Sequence, residues 1–241
     1  MTQPTLDPAE IAKFSALAAQ WWNPKGPFGA LHRLNPVRLG FIRDTVLRHF
    51  ATASRHALAG LKTLDLGCGG GLVSAPLARM GAELTAIDAS EEAIGAARAY
   101  AAQAGLAIDF RCASAEALVA EGERFDLVAA LEIIEHVADA NAFLAAAQAL
   151  VKPDGLLIVS TINRTPKARA LAIVGAERIL KWAPEGAHDY DKLVTPDEIR
   201  AGAAAIVWEE PVGIVYNPIG AGWSLSSDID VNYIMAGVKA R

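Results

Sequence analysis

Asp65, Gly67, Gly69 and Gly71 stand at alternate positions in the run LDLGCGGG, and Asp88 closes the next apolar run, LTAID. Glycines at this spacing let the main chain take positive φ and let a ligand approach it closely. Asp88 is suited to accept hydrogen bonds from sugar hydroxyls. Two common nucleotide patterns fail. A dinucleotide turn needs G-x-G-x-x-G, but the sixth residue counted from Gly67 is Leu72. A phosphate-binding P-loop needs a lysine after its glycines, and none follows. A second constellation is LEIIEHV, holding Glu132, Glu135 and His136. On a helical turn, position 132 shares a face with 135 and 136. Two carboxylates and an imidazole can hold a divalent cation, or His136 can act as a general base, and the spacing suits both equally. The plainer alternative is acids solvating a strand end and a histidine capping a helix.

The elements that must carry these residues follow from hydrophobic periodicity. Ile11, Phe14, Leu17, Ala18, Trp21 and Trp22 recur at helical spacing and predict an amphipathic helix over about Pro8–Trp22. A loop, Asn23–Gly29, precedes a second helix over Pro36–His56, with Pro36 as its first residue. LKTLDLG reads as a buried strand, followed by the glycine turn and a helix over Leu72–Met80. LTAID is the second strand, and Ser90 caps a helix over Glu91–Ala104. IDFRC and FDLVAAL are the third and fourth strands. A helix over Asn141–Leu150 leads through KPDG into LLIVSTI, the fifth. Beyond it the reading is a helix over Pro166–Trp182, a polar loop over Pro184–Thr195 and a short helix from Pro196. Two last strands, near Val207–Val215 and Asn232–Lys239, form a hairpin at the sheet edge. Strands alternating with helices in this way predict an α/β fold with a parallel sheet and helices on both faces. Ligands then bind at the carboxyl ends of the strands.

A D-x-G-x-G-x-G turn after one strand, with an acidic residue ending the next, resembles the S-adenosylmethionine (SAM) pocket of class I methyltransferases. There Leu131, at the end of the fourth strand, would pack against the adenosine. Methyl transfer from a sulfonium is an in-line displacement, and a neutral phenol is a poor nucleophile for it. A metal would stabilise the phenolate, whereas a base would remove its proton. Histidine titrates near neutrality and suits the second role.

Longer stretches resemble one family. WWNPKGPFGALHRLNPVRLGFI, VGAERILKWAPEGAHDYDKLVTPDEI and YNPIGAGWSLSSDIDVNYI, together with LDLGCGGG and LEIIEHV, look like the ubiquinone biosynthesis O-methyltransferases across nearly the whole chain. The resemblance implies a Rossmann-like class I methyltransferase domain over 1–241, with a mostly parallel seven-stranded sheet and a C-terminal antiparallel edge hairpin. A helical cover would span 1–58, and an insertion 164–195 would follow the fifth strand. It also implies SAM-dependent methylation of phenolic hydroxyls in 2-polyprenyl-6-hydroxyphenol and 3-demethylubiquinol. Arg38, Gly67, Asp88 and Leu131 would correspond to SAM-binding positions. Glu132, Glu135 and His136 would form a divalent-metal site, with Mg the expected ion. Arg38 could hold the methionine carboxylate in its guanidinium fork.

The remaining composition bounds the partners. The chain has 241 residues, 53% of them hydrophobic, and 22 basic against 27 acidic residues give a net charge of −5. That is a globular composition and argues against a nucleic-acid partner. Two cysteines, Cys68 and Cys112, are too few for a disulfide framework and fit a reducing cytoplasm. Arg164–Trp182 carries five basic residues and one acidic, with Lys167, Arg178 and Lys181 opposite an apolar arc. This is the pattern of an ordinary helix packed on its own sheet, or of one lying on anionic lipid. A polyprenyl tail in the bilayer favours the second, with a peripheral seat on the inner face of the membrane, admission of the ring beneath Trp21–Trp22 and the insertion, and other ubiquinone-synthesis enzymes as neighbours. His188, in GAHDYDK, is a second base candidate. His32, in LHRLN, is open to the same two readings, a base or a histidine bonded to backbone, and His49 and His56 read as surface residues.

Overall fold

A computed structural model describes residues 5–51, 56–171, 189–217 and 222–241. Strands β1 (Lys62–Leu66), β2 (Glu83–Asp88), β3 (Asp109–Cys112), β4 (Phe125–Leu131) and β5 (Val151–Ile162) form a parallel sheet in the order β3-β2-β1-β4-β5. From β1 the chain moves to β2 on one side, and β4 later joins on the other. The gap between the carboxyl ends of β1 and β4 is therefore the topological switch point, where such sheets open a crevice. Asp65, the Gly67–Gly71 turn and Glu132 all lie there because β1 and β4 end there.

The central strands are apolar on both faces, as a covered parallel sheet requires. In β4, Phe125, Val128 and Ala130 face a core completed by α5 (Ala115–Ala120), α6 (Ala140–Leu150) and α8 (Pro196–Gly202). Leu127, Ala129 and Leu131 face another core, with Leu34, Ile42 and Val46 of α2 (Gly29–Phe50) and Leu77 of α3 (Ser74–Arg79). The helix α4 (Glu91–Ala104) matches its expected bounds, with the Ser90 hydroxyl accepting from Ala93 N.

Several boundaries differ from expectation. The first helix, α1 (Pro8–Ala16), stops early, and a 3-10 turn at Ala18–Gln20 carries the chain to Trp21. Pro36 lies inside α2 instead of starting it. A proline there costs a helix about 3 kcal/mol, which burial of Leu34, Asn35, Arg38, Ile42 and Val46 on one face offsets. Among the described residues the sheet has nine strands where seven are expected. Glu209–Pro211 divides the expected Val207–Val215 strand into β6 (Ile206–Trp208) and β7 (Val212–Asn217). β8 (Gly222–Ser226) was not foreseen. It pairs antiparallel with β7 at the sheet edge, while β9 (Asn232–Lys239) lies between β5 and β7. The helix after β5 is described only at its start, α7 (Pro166–Ala168) and the following turn. Its remainder, and with it Arg178, Lys181 and His188, lies outside the described residues.

Candidate active site

The glycine turn is a folded-back main chain. Gly67, Gly69 and Gly71 have φ of +78°, +52° and +86°. Gly67 N and Cys68 N both donate to Ile87 O at 2.9 Å, which ties the turn to β2. Gly69 N and Ser90 N each donate to one carboxylate oxygen of Asp88, at 2.9 Å. Burial raises the Asp88 carboxyl above its ordinary value, against those bonds. Each oxygen retains a lone pair for a further donor.

The space the glycines leave is partly filled by protein. A Cβ on Gly67 would meet Ile133 at 2.5 Å, and one on Gly70 would meet Trp21 at 2.3 Å. Trp21 stacks on Phe28 with ring centres 3.7 Å apart, and Trp22 donates from Nε1 to Gly70 O at 2.9 Å. The N-terminal segment thus roofs the turn. His32 Nε2 binds Trp21 O at 2.8 Å and belongs to that roof.

Beneath the turn lies a buried charge cluster. Asp65 is 2% exposed, accepts from Ser74 Oγ at 2.5 Å, and burial lifts its carboxyl to about 6. Arg38 is equally buried. Its Nη2 donates to Asn35 Oδ1 at 3.0 Å, its Nη1 lies 3.9 Å from Glu132 Oε1, and its Nε has no partner among the described residues. Burial lowers the guanidinium, and Glu132, Asp65 and Glu135 oppose that shift.

A cavity of about 700 Å³ opens over this floor. Gly67, Gly69, Asp88, Glu132 and His136 line it, while Arg38, Leu131 and Glu135 lie behind its wall. Its lining also includes Leu31 and Leu34 of α2 and Ile214, Tyr216 and Trp223 of the β7–β8 pair.

The expected convergence of Glu132, Glu135 and His136 does not occur. Among the described residues no three His, Cys, Asp or Glu side chains are grouped so as to hold a metal ion. The reason is local. Glu132 takes φ +52°, and the 3-10 turn begins only at Ile134, so 132 does not share a helical face with 135 and 136. Glu132 accepts from Ser160 Oγ at 2.7 Å and Asn232 Nδ2 at 3.0 Å. Glu135 is 3% exposed with neither oxygen hydrogen-bonded among the described residues, and burial beside Glu132 drives its carboxyl well upward. His136 Nδ1 instead meets Glu10 Oε2 at 2.9 Å, and that bond lowers the Glu10 carboxyl. As placed, this donor set does not fit a cation. Glu10 was invisible to motif reading because it stands 126 residues from its partner.

Residues 64–159 match the methyltransferase-domain family. The chain is 51% identical to the ubiquinone biosynthesis O-methyltransferase of Azorhizobium caulinodans, covering 98% of this chain and 95% of that protein. It is 49% identical to that of Cereibacter sphaeroides, covering 98% and 97%. The chain belongs to the ubiquinone biosynthesis O-methyltransferase family. It is a SAM-dependent O-methyltransferase with the Rossmann-like class I fold. Solved structures agree on that fold. Magnesium protoporphyrin IX methyltransferase from Synechocystis with bound S-adenosylhomocysteine (SAH) superposes with a TM-score of 0.63 at 20% identity, over 95% of each chain. The plantazolicin methyltransferase with a substrate analogue and SAH gives 0.64 at 15%, over 97% of this chain and 98% of that one.

Proposed function

We propose that the chain methylates phenolic hydroxyls of polyprenylated rings, 2-polyprenyl-6-hydroxyphenol and 3-demethylubiquinol, with Asp88 and the Gly67–Gly69 main chain seating the donor. One observation carries this reading: a single cavity is lined by the glycine turn and Asp88, by a histidine, and by apolar side chains of α2 and the β7–β8 pair. The turn and Asp88 suit a nucleoside, and the apolar lining suits an isoprenoid tail. Bound SAM supplies an electrophilic methyl group on a sulfonium. The protein's part is to shape the acceptor oxygen. Glu10, ionised, can only accept, so His136 Nδ1 carries the hydrogen of their bond and Nε2 is the basic nitrogen. His136 thereby serves as the base that draws the phenolic proton. Phe14 packs edge-on against the imidazole at 4.9 Å, and with Trp21 and Phe28 it keeps bulk water from the reacting oxygen. Arg38, behind the wall, offsets the carboxylates below the turn.

No helix among the described residues is long and apolar enough to cross a membrane. The proposed membrane contact rests on Arg178 and Lys181, since Lys167 is paired with Asp228 at 2.5 Å and Asp230 at 3.4 Å. Replacing Arg178 and Lys181 by glutamate is expected to abolish flotation with anionic liposomes, and unchanged flotation would remove that part of the reading.

The main test is methyl transfer to a short-tailed prenyl catechol against catechol itself. A higher kcat/KM for the prenylated ring is expected, and equal values would overturn the substrate assignment. A parallel pair of reactions, one with chelator and one with added Mg2+, checks the base. Turnover that needs Mg2+ would return Glu132, Glu135 and His136 to the role of ligands.

A further inference from the structure

The helix α1 brings Glu10 to His136, yet little of α1 is held by packing. It has nine residues, fewer than the roughly 12–15 at which a free helix becomes marginal in water, and none of them is buried. Its carboxylate Glu10 nevertheless meets His136 Nδ1, and its Phe14 meets the imidazole edge. Asp7, Glu10 and Phe14 stand three and four residues apart, on one side of the segment, and all three line the cavity. Polar ties hold both ends. Ser15 Oγ meets Ser90 Oγ at 2.7 Å and donates to Glu92 at 2.8 Å. At the other end Asp7 caps the helix, its Oδ1 accepting from Ala9 N at 2.9 Å and Glu10 N at 3.4 Å. Its second oxygen, Oδ2, accepts from Lys192 Nζ at 2.7 Å. That bond lowers the Asp7 carboxyl and raises the Lys192 ammonium. Lys192 is anchored in turn. It ends the short turn Tyr190–Lys192, and Leu193 and Val194 after it are buried, with Tyr233 Oη donating to Val194 O at 2.7 Å.

We propose that Lys192 is a positioning residue for the base: by holding the Asp7 cap it sets α1 where Glu10 stands on His136 Nδ1. The inference rests on the reading of His136 as the base and deepens it, since it names what orients that base. Glu10 lies three residues beyond Asp7, about 4.5 Å along the helix axis, so a shift of the cap passes to the Glu10 carboxylate nearly whole. A hydrogen bond of 2.9 Å weakens steeply once its angle or length departs from that geometry. The Lys192 side chain is 35% exposed and that of Asp7 20%, and such pairs add little to overall stability. The effect of this pair therefore falls on placement and not on folding.

The test uses the full chain, with SAM and 3-prenylcatechol for turnover. Lys192→Met is expected to lower kcat by about three- to fivefold, the scale of one part-exposed ion pair. KM, SAH affinity and the urea midpoint are expected to hold. Lys192→Arg keeps the cation and should stay within about twofold of wild type. Asp7→Asn keeps a capping oxygen but loses the charge, and it should match Lys192→Met, with the double variant no worse than either. In a Glu10→Gln background, Lys192→Met should cost nothing further. A second readout needs no substrate. Imidazole 15N spectra in alkaline buffer, where the rings are neutral, report the tautomer, and His136→Ala assigns the signal. Hydrogen on Nδ1 is expected in the wild-type chain and a mixture of tautomers in Lys192→Met. The proposal is overturned by a Lys192→Met chain with wild-type kcat or an unchanged tautomer, or by its full loss of kcat persisting beside Glu10→Gln. A wild-type chain that leaves 3-prenylcatechol unmethylated would instead sink the phenol reading, and the tautomer comparison would still decide the role of Lys192.

Discussion

Gly69→Ala tests whether the N-terminal segment is built onto the cofactor turn. Gly69 has φ +52°, and a Cβ there would lie 2.5 Å from Cη2 and Cζ2 of Trp21. The left-handed backbone costs an alanine roughly 1–2 kcal/mol. The overlap with the indole adds about 1–3 kcal/mol of overpacking, because Trp21 is 8% exposed and stacked on Phe28. The expected loss is about 2–5 kcal/mol, a large share of the roughly 5–15 kcal/mol that holds a domain folded. Urea denaturation measures it, and SAH titration measures the accompanying loss of cofactor affinity. A double-mutant cycle with Trp21→Ala separates the two causes. In that background Gly69→Ala should cost only the backbone part, about 1–2 kcal/mol. Gly70 is a cleaner companion. Its φ is not positive, yet its Cβ would lie 2.3 Å from Trp21 Cγ and 2.5 Å from Trp21 Cβ, so Trp21→Ala, which keeps that Cβ, should rescue Gly70→Ala only in part. Equal costs with and without the indole, at both glycines, would refute the roof as the reason for glycine here.

Asp88→Ala is expected to weaken SAH binding by about one to two orders of magnitude, since it removes the acceptor for sugar hydroxyls and frees the Gly69 and Ser90 amides it holds. Calorimetry checks this, and unaltered affinity would remove Asp88 from the donor site. Asp65 makes stability depend on pH. Burial raises its carboxyl to about 6 in the folded chain, from an ordinary value of 3.8, so the folded chain binds the extra proton. Its contribution is full below about pH 4 and is lost as pH rises through about 6, by at most about 3 kcal/mol. Asp65→Asn should flatten the change in urea midpoint over that window, and an unchanged slope would contradict the burial argument. Glu10→Gln should lower kcat about tenfold, and His136→Ala by about two to four orders of magnitude, both with SAH affinity intact. A Glu10 variant with wild-type kcat would end its part in orienting the imidazole.

Much of the sheet was readable because its signals are local. Continuous apolar runs mark β1, β4 and β5, Ser90 caps α4 within three residues, and the D-x-G-x-G-x-G turn sits between one strand and one helix. Short or polar elements were not readable. AEALVA is too brief to show a period, and GWSLS reads as a loop until β7 offers it an edge to pair with. Pro36 looked like a helix start because that is its commonest place, but the burial of the helix face around it outweighed the lost bond.

Linear order thus dictated the fold, the crevice at the strand ends and the kinship of the chain, since each depends on patterns spanning a few to a few dozen neighbouring residues. The partners of the reactive groups came from elsewhere. One residue's positive φ separated Glu132 from the turn of Glu135 and His136. Glu10 reached His136 across 126 positions, and Asn232 reached Glu132 across 100. Contacts at such separations follow from how the strands are ordered and how the N-terminal segment packs over them, and no local spacing encodes them.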